Sequence, residues 1–112
     1  MNSISWADFE KVELRVGTIL SAEEFPEARK PAYILKVDFG EAIGIRKSSA
    51  QITDLYGIEQ LIGKQVVAVV NFPPKQIGPI KSECLVTGFY NSDGKVVLAV
   101  PDKDIENGAR LG

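Results

Sequence analysis

Between Glu13 and Glu23 hydrophobic and polar positions alternate, with Leu14, Val16, Thr18 and Leu20 on one side and Arg15, Gly17, Ile19 and Ser21 on the other. A period of two predicts a long first β-strand. Gly17 within it predicts a bulge or sharp bend, a device that lets one strand of a small barrel serve two sheets. Glu24 to Pro31 reads as a polar loop, Ala32 to Phe39 as a second strand, and Gly44 to Ser49 as a third, with Gly40-Glu41 in the turn between them. In Ile52 to Ile62, the residues Ile52, Leu55, Ile58, Leu61 and Ile62 follow an interrupted helical spacing that Gly57 breaks and Gly63 ends. Gln65 to Val70 and Leu85 to Tyr90 read as further strands, and Asn91-Ser92-Asp93-Gly94 is a hairpin turn into Lys95 to Val100.

Three strands, a short helical insert and two more strands is the element order of an OB-fold. The fold class expected is therefore all-β, a five-stranded barrel that takes ligands along strands two and three and the loops around them. An all-β sandwich has similar local patterns and is the alternative. Ahead of the barrel, Ser5 to Glu10 predicts a short helix, with Ser5 as cap, Asp8 three residues on, and Trp6 and Phe9 on a shared face. Two large aromatics on so short a helix must be covered, either by the barrel or by another chain. The reading adopted here is a homodimer joined through residues 3–11 and the C-terminal segment.

The stretch Asn71 to Val86, NFPPKQIGPIKSECLV, has a different character. Pro73, Pro74 and Pro79 fix φ and remove three backbone donors, while Gly78 opens conformations closed to other residues. It predicts a shaped loop between two strands, and its restrained backbone suits ligand binding because less chain is ordered when a ligand arrives.

Length and composition narrow the classes. A chain of 112 residues, 45% hydrophobic, makes one domain with a core, and no apolar run approaches the ~20 residues of a membrane span. The start Met1-Asn2-Ser3-Ile4 has no charged and hydrophobic leader, and the lone Cys84 has no partner in the chain. Both point to the cytoplasm and to no membrane insertion. The net charge of −2 argues against indiscriminate coating of nucleic acid, yet charge is segregated. Arg29 to Lys81 carries eight Lys/Arg against four Asp/Glu, and the rest of the chain five against eleven.

The chemistry of catalysis is missing from the sequence. There is no histidine, no phosphate-gripping glycine motif and no Cys/His cluster, so no catalytic, metal or cofactor residue is assigned and the chain is read as a binding protein. The binding candidates are Arg29 and Lys30 before strand two, Tyr33 within it, Arg46 and Lys47 on strand three, and Asn71, Phe72, Lys75, Lys81 and Ser82 around the proline loop. Aromatic rings can stack on bases while Lys and Arg neutralise phosphates.

Four blocks carry a family resemblance: Leu14-Arg15-Val16-Gly17-Thr18-Ile19; Phe25-Pro26-Glu27-Ala28-Arg29-Lys30-Pro31-Ala32-Tyr33; Lys47-Ser48-Ser49-Ala50-Gln51-Ile52; and Asn71-Phe72-Pro73-Pro74-Lys75 with Ser82-Glu83 downstream. From about Phe9 to the C-terminus the chain resembles the CsaA family within the tRNA-binding-domain proteins. Departures from the broader group are Cys84-Leu85 after Ser-Glu and Lys47-Ser48-Ser49-Ala50 in place of its Val-Ser-Gly block. The resemblance implies the OB barrel and two functions. One is a chaperone linked to protein export, binding unfolded or precursor polypeptides and through them the export machinery, with Tyr33, Ile45 and Phe72 as peptide contacts. The other is a tRNA-binding accessory protein using Arg29, Lys30, Arg46, Lys47, Asn71, Lys75, Lys81 and Ser82.

Overall fold

The computed structural model describes all 112 residues. Its elements are α1 (Trp6–Glu10), β1 (Leu14–Glu24), β2 (Tyr33–Asp38), β3 (Ile45–Ala50), α2 (Ile58–Leu61), β4 (Gln65–Val69), β5 (Lys75–Ile77), β6 (Ile80–Ser82), β7 (Leu85–Val86), β8 (Gly88–Tyr90) and β9 (Val96–Leu98). Five strands form an antiparallel sheet in the order β3-β2-β1-β4-β7, curled into a nearly closed OB-type barrel, while β5-β6 and β8-β9 are separate hairpins.

The long first strand behaves as its alternation predicts, but its bend lies elsewhere. The register of β1 on β2 slips between Ile19 and Ser21, so Leu20 is the extra residue. Residues 14–18 pair with β4 and residues 18–24 with β2. Ahead of the slip Ile19 shares the inward face of Gly17 and is fully buried, Leu20 is exposed and not grouped with the buried Val16, and after the slip it is Ala22 that packs on the core. Gly17 has another task. A Cβ there would lie 2.6 Å from Val37 Cγ1 and 2.7 Å from Phe39 Cδ1, so glycine makes room for two buried side chains of the next strand and its extension. One core cluster joins Ile19, Leu35, Val37, Phe39, Leu61 and Val66, among others, inside the barrel.

The proline stretch is a hairpin rather than an open loop. Lys75, Gln76 and Ile77 pair with Ser82, Lys81 and Ile80, turning at Gly78 with φ of +53°. Leu85–Tyr90 is two short strands. Thr87 breaks the run because its N–H donates to Val67 O and its carbonyl accepts from Ala99 N, carrying the chain from the barrel into the β8-β9 hairpin.

Side chains complete the closure between β3 and the end of the β5-β6 hairpin. Ser82 Oγ accepts from Ser49 N at 3.0 Å and Glu83 Oε1 from Lys47 N at 3.0 Å, while Glu83 N donates to Lys47 O at 2.8 Å. Ser48 Oγ, buried, donates to Cys84 O. The chain's tail, expected with the N-terminal helix in a contact between two copies, returns along β1 of its own barrel. Val16 N donates to Ala109 O, and Gly108 N and Leu111 N donate to Val16 O and Leu14 O. It also grips the N-terminus, since Arg110 pairs with Glu13 at 3.1 Å and donates to Glu10 O at the end of α1. The α1 cap is as predicted: Ser5 Oγ accepts from Asp8 N and the Asp8 carboxylate from Ser5 N.

Candidate functional site

Two surfaces stand out once the strands are in register. The first is a groove of about 800 Å³ where the end of β3, the Phe72-Pro73 turn, the β5-β6 hairpin and the β7-β8 run meet. Ile52, Phe72, Pro73, Ile77, Leu85, Val86, Tyr90 and Val96 line it, and its single formal charge is Lys75. Phe72 is 56% exposed, Leu85 50% and Tyr90 81%, so the apolar walls face water. Cys84 sits at the floor, buried, and that burial pushes its thiol up to about 11, leaving it a small apolar side chain at neutral pH.

The second surface is the outer face of β2 and β3. Tyr33, Leu35 and Val37 point into the core, so by the period of two Ile34, Lys36 and Asp38 point out. Lys36 stands directly opposite Lys47, Asp38 opposite Ile45, and Ile34 opposite Ser49. Like charges facing each other across a strand pair repel, and neither lysine takes part in an ion pair. Beside this face, the β1-β2 loop lies close to the hairpin turn: a Cβ on Gly78 would come within 3.6 Å of Phe25 Cζ and of Glu27 Cβ. The loop with Arg29 and Lys30 thus adjoins the hairpin with Lys75 and Lys81, all four exposed.

The candidates read from sequence therefore separate. Arg29, Lys30, Lys47, Lys75 and Lys81 are exposed on the two surfaces described, and Phe72 lines the groove. Ile45 is 58% exposed but lies on the basic face, away from the groove lining. Tyr33 is a core residue: it is buried, and its hydroxyl donates to Tyr56 O at 2.8 Å, so its ring offers no face to a peptide. Arg46 points from the other side of β3 and donates to Val70 O, lining a separate cleft with Arg15 and Arg110. Asn71 is occupied by the fold, donating to Lys11 O at 2.7 Å and accepting from Glu13 N at 3.0 Å, which ties the foot of α1 to the loop. Ser82 is likewise engaged with Ser49 N, though it borders the groove. Sequence reasoning missed Lys36, which the pairing with Lys47 makes the centre of the basic face. It also missed Leu85 and Tyr90, whose exposure depends on the break at Thr87. Trp6 is 79% exposed and Phe9 half-buried, so the chain leaves the α1 tryptophan uncovered. No group of three or more Cys, Asp or Glu gathers that could hold a metal ion, and no helix is long and apolar enough to cross a membrane.

Comparison with known proteins fits this arrangement. Residues 14–110 match the family model described as "Putative tRNA binding domain". The crystal structure of the chaperone CsaA of Bacillus anthracis is 49% identical, with a TM-score of 0.92 over 99% of this chain and 100% of that one. The CsaA chaperone protein of Picrophilus torridus gives 49% identity and a TM-score of 0.92, covering 98% of this chain and 100% of its own. Among curated sequences, the methionine–tRNA ligase of Flavobacterium johnsoniae is 38% identical over 108 residues, 96% of this chain. That match takes in 15% of the ligase, so the chain spans only a small part of the curated relatives it matches and corresponds to an accessory domain of them. With the same barrel and nearly half its residues shared over the full length of two CsaA proteins, the chain belongs to the CsaA family of tRNA-binding-domain proteins.

Proposed function

We propose that this protein is a cytoplasmic, non-catalytic chaperone of the CsaA kind, a homodimer that holds unfolded or precursor polypeptides and delivers them toward export. The observation that carries the proposal is the groove: an apolar surface open to water, with Phe72, Leu85 and Tyr90 each at least half exposed and one charge among its lining residues. Such a surface releases water when an apolar ligand settles on it, and gains little from a polyanion. The segment 3–11, with helix α1 inside it, supplies the second half of the proposal. Its foot is fixed to the barrel through Asn71 and Arg110, yet Trp6 at its start remains in water. A second copy that covers Trp6 and Phe9 would place two grooves on one particle, and a long client could occupy both with avidity.

The test is suppression of aggregation of a chemically unfolded client by the wild type and by a Phe72→Ser/Leu85→Ser variant. The variant is expected to lose most of the protection while remaining folded at the assay temperature, with its unfolding midpoint lowered only modestly because about half of each residue is already exposed. Full protection by the variant would overturn the groove assignment. Light scattering through a dilution series tests the dimer, and a mass of one chain at micromolar concentration would exclude it.

A second reading is favoured by the unpaired Lys36 and Lys47. Here the protein is a tRNA-binding accessory factor whose basic β2-β3 face, with Arg29, Lys30, Lys75 and Lys81 beside it, follows the phosphates of a folded RNA. Both readings use the barrel and can share Lys75 at the groove's rim, but their other contacts lie on different surfaces of it. They are therefore separable by mutation.

A further inference from the structure

One wall of the groove is the open edge of a β-sheet. Strand β8 pairs with β9 alone, in the register Gly88 to Leu98, Phe89 to Val97 and Tyr90 to Val96. Facing pairs in an antiparallel ladder alternate between those that exchange hydrogen bonds and those that do not. Ala99 N donates to Thr87 O at 3.1 Å and Asn91 N to Lys95 O at 2.8 Å, which marks Thr87, Phe89 and Asn91 as the residues turned toward β9. Leu98 N agrees, because it donates to the Tyr56 hydroxyl and not to Gly88. The N–H and C=O of Gly88 and Tyr90 therefore point away from β9, and both residues line the groove.

We infer that an extended polypeptide segment binds by adding a strand to the β8 edge, its backbone paired with Gly88 and Tyr90 and its alternate side chains lying on Phe72, Pro73, Leu85 and Val86. The inference rests on the chaperone reading of the groove and says how that groove takes a client of any sequence. Backbone pairing supplies affinity without reading side chains, and the apolar floor adds a preference for an apolar residue at every second position. The lining also has Lys75 and no carboxylate, so a segment with an acidic residue at one end has the complementary charge. Gly88 helps to keep the edge at this place. A Cβ on it would meet Val96 Cγ1 at 2.6 Å and Val97 O at 2.7 Å, so the hairpin closes tightly only without one.

The experiment uses the full chain and a synthetic heptapeptide of alternating Leu and Ser with a C-terminal Asp, made in three forms: unmodified, N-methylated on one set of alternate amides, and N-methylated on the other. Strand addition predicts that one methylated form binds about tenfold or more weakly, since it loses two hydrogen bonds, while the other binds as the unmodified peptide does. Amide hydrogen exchange, read by NMR, is expected to slow at Gly88 and Tyr90 on peptide addition and to stay unchanged at Phe89. Peptide binding with equal affinity for all three forms and unchanged Gly88 and Tyr90 exchange would overturn strand addition while leaving the groove a binding site. No binding of any form would overturn the chaperone reading along with it. Protection of the two amides in the free protein that disappears on dilution would assign the edge to a second copy, and protection by tRNA in place of peptide would assign it to RNA. Either result would overturn the proposal.

Discussion

Replacing Lys36 and Lys47 by glutamine should move stability and RNA binding in opposite directions. The two ammonium groups extend from residues directly opposed across β2 and β3, with no carboxylate paired to either. At a separation of ~6 Å in water their repulsion is ~0.7 kcal/mol, and salt near 0.15 M, with a Debye length of about 8 Å, cuts this roughly in half. Removing it should leave the folded protein ~0.3 to 0.7 kcal/mol more stable, a rise of a few degrees in melting midpoint for a chain of this size. Binding should do the reverse. Each phosphate contact contributes a slope of roughly −0.9 in log affinity against log salt for a duplex ligand, so two lost contacts flatten it by about 1.8, or by about 1.4 for a single strand. A filter or fluorescence titration of tRNA from 50 to 200 mM salt measures the slope, and differential scanning calorimetry measures the midpoint. A double variant that melts earlier and keeps the wild-type slope would refute the reasoning, because the pair would then be part of the fold's support and tRNA would lie elsewhere.

Other substitutions report on the frame around the site. Gly17→Ala puts a methyl group within 2.8 Å of Val37 and Phe39 in a filled core, so ~1 to 3 kcal/mol of stability should be lost by urea denaturation, offset in part by ~0.4 to 1 kcal/mol from a stiffer unfolded chain. Tyr33→Phe removes the bond to Tyr56 O and should cost ~1 kcal/mol while peptide affinity, measured by calorimetry, stays at the wild-type value. Cys84, with its thiol raised to about 11, should carry about one thiolate in a thousand molecules at pH 8 and react with a disulfide reagent only as fast as the protein opens. The Glu13 carboxyl is held below its ordinary value by the hydrogen bond from Arg15, reinforced by the charge of Arg110. A depressed carboxylate stabilises the fold above its unfolded pKa and ceases to do so as pH falls through the folded one, so Glu13→Gln should lower the melting midpoint at pH 7 and make progressively less difference below about pH 4.

Much of the barrel was legible because its strands alternate and its turns carry glycine or the Asn-Ser-Asp-Gly signal. What stayed hidden depended on register. A single extra residue at Leu20 reverses the faces of the second half of β1, and nothing in the local pattern distinguishes it from Gly17, which looks like a bend and is a packing gap. The same holds for β2: Tyr33 and Lys36 belong to opposite faces, and only the partner strand says which one faces water. The hairpin within Asn71 to Val86 was masked by its prolines, which sit outside the three residue pairs that form it.

The motif residues of that stretch explain why sequence identified the right region and assigned some of its side chains the wrong work. Asn71 and Ser82 look like ligand contacts because they are polar and lie beside a shaped turn, yet they are spent on backbone groups, Asn71 on Lys11 and Glu13 and Ser82 on Ser49, as is the neighbouring Glu83 on Lys47. The last two donors lie on the edge of β3, where a barrel with a full ladder would have another strand. By accepting from them, Ser82 and Glu83 close the barrel with side chains and leave the backbone of the following residues free to turn outward at Thr87. That outward turn creates both the groove and the exposed β8 edge, while the same β3 strand presents Lys47 on the barrel's outer face. A polypeptide-binding groove and a basic face can therefore share one small barrel, since a single closing motif, with only Ser82 at the groove's border, sets the position of both.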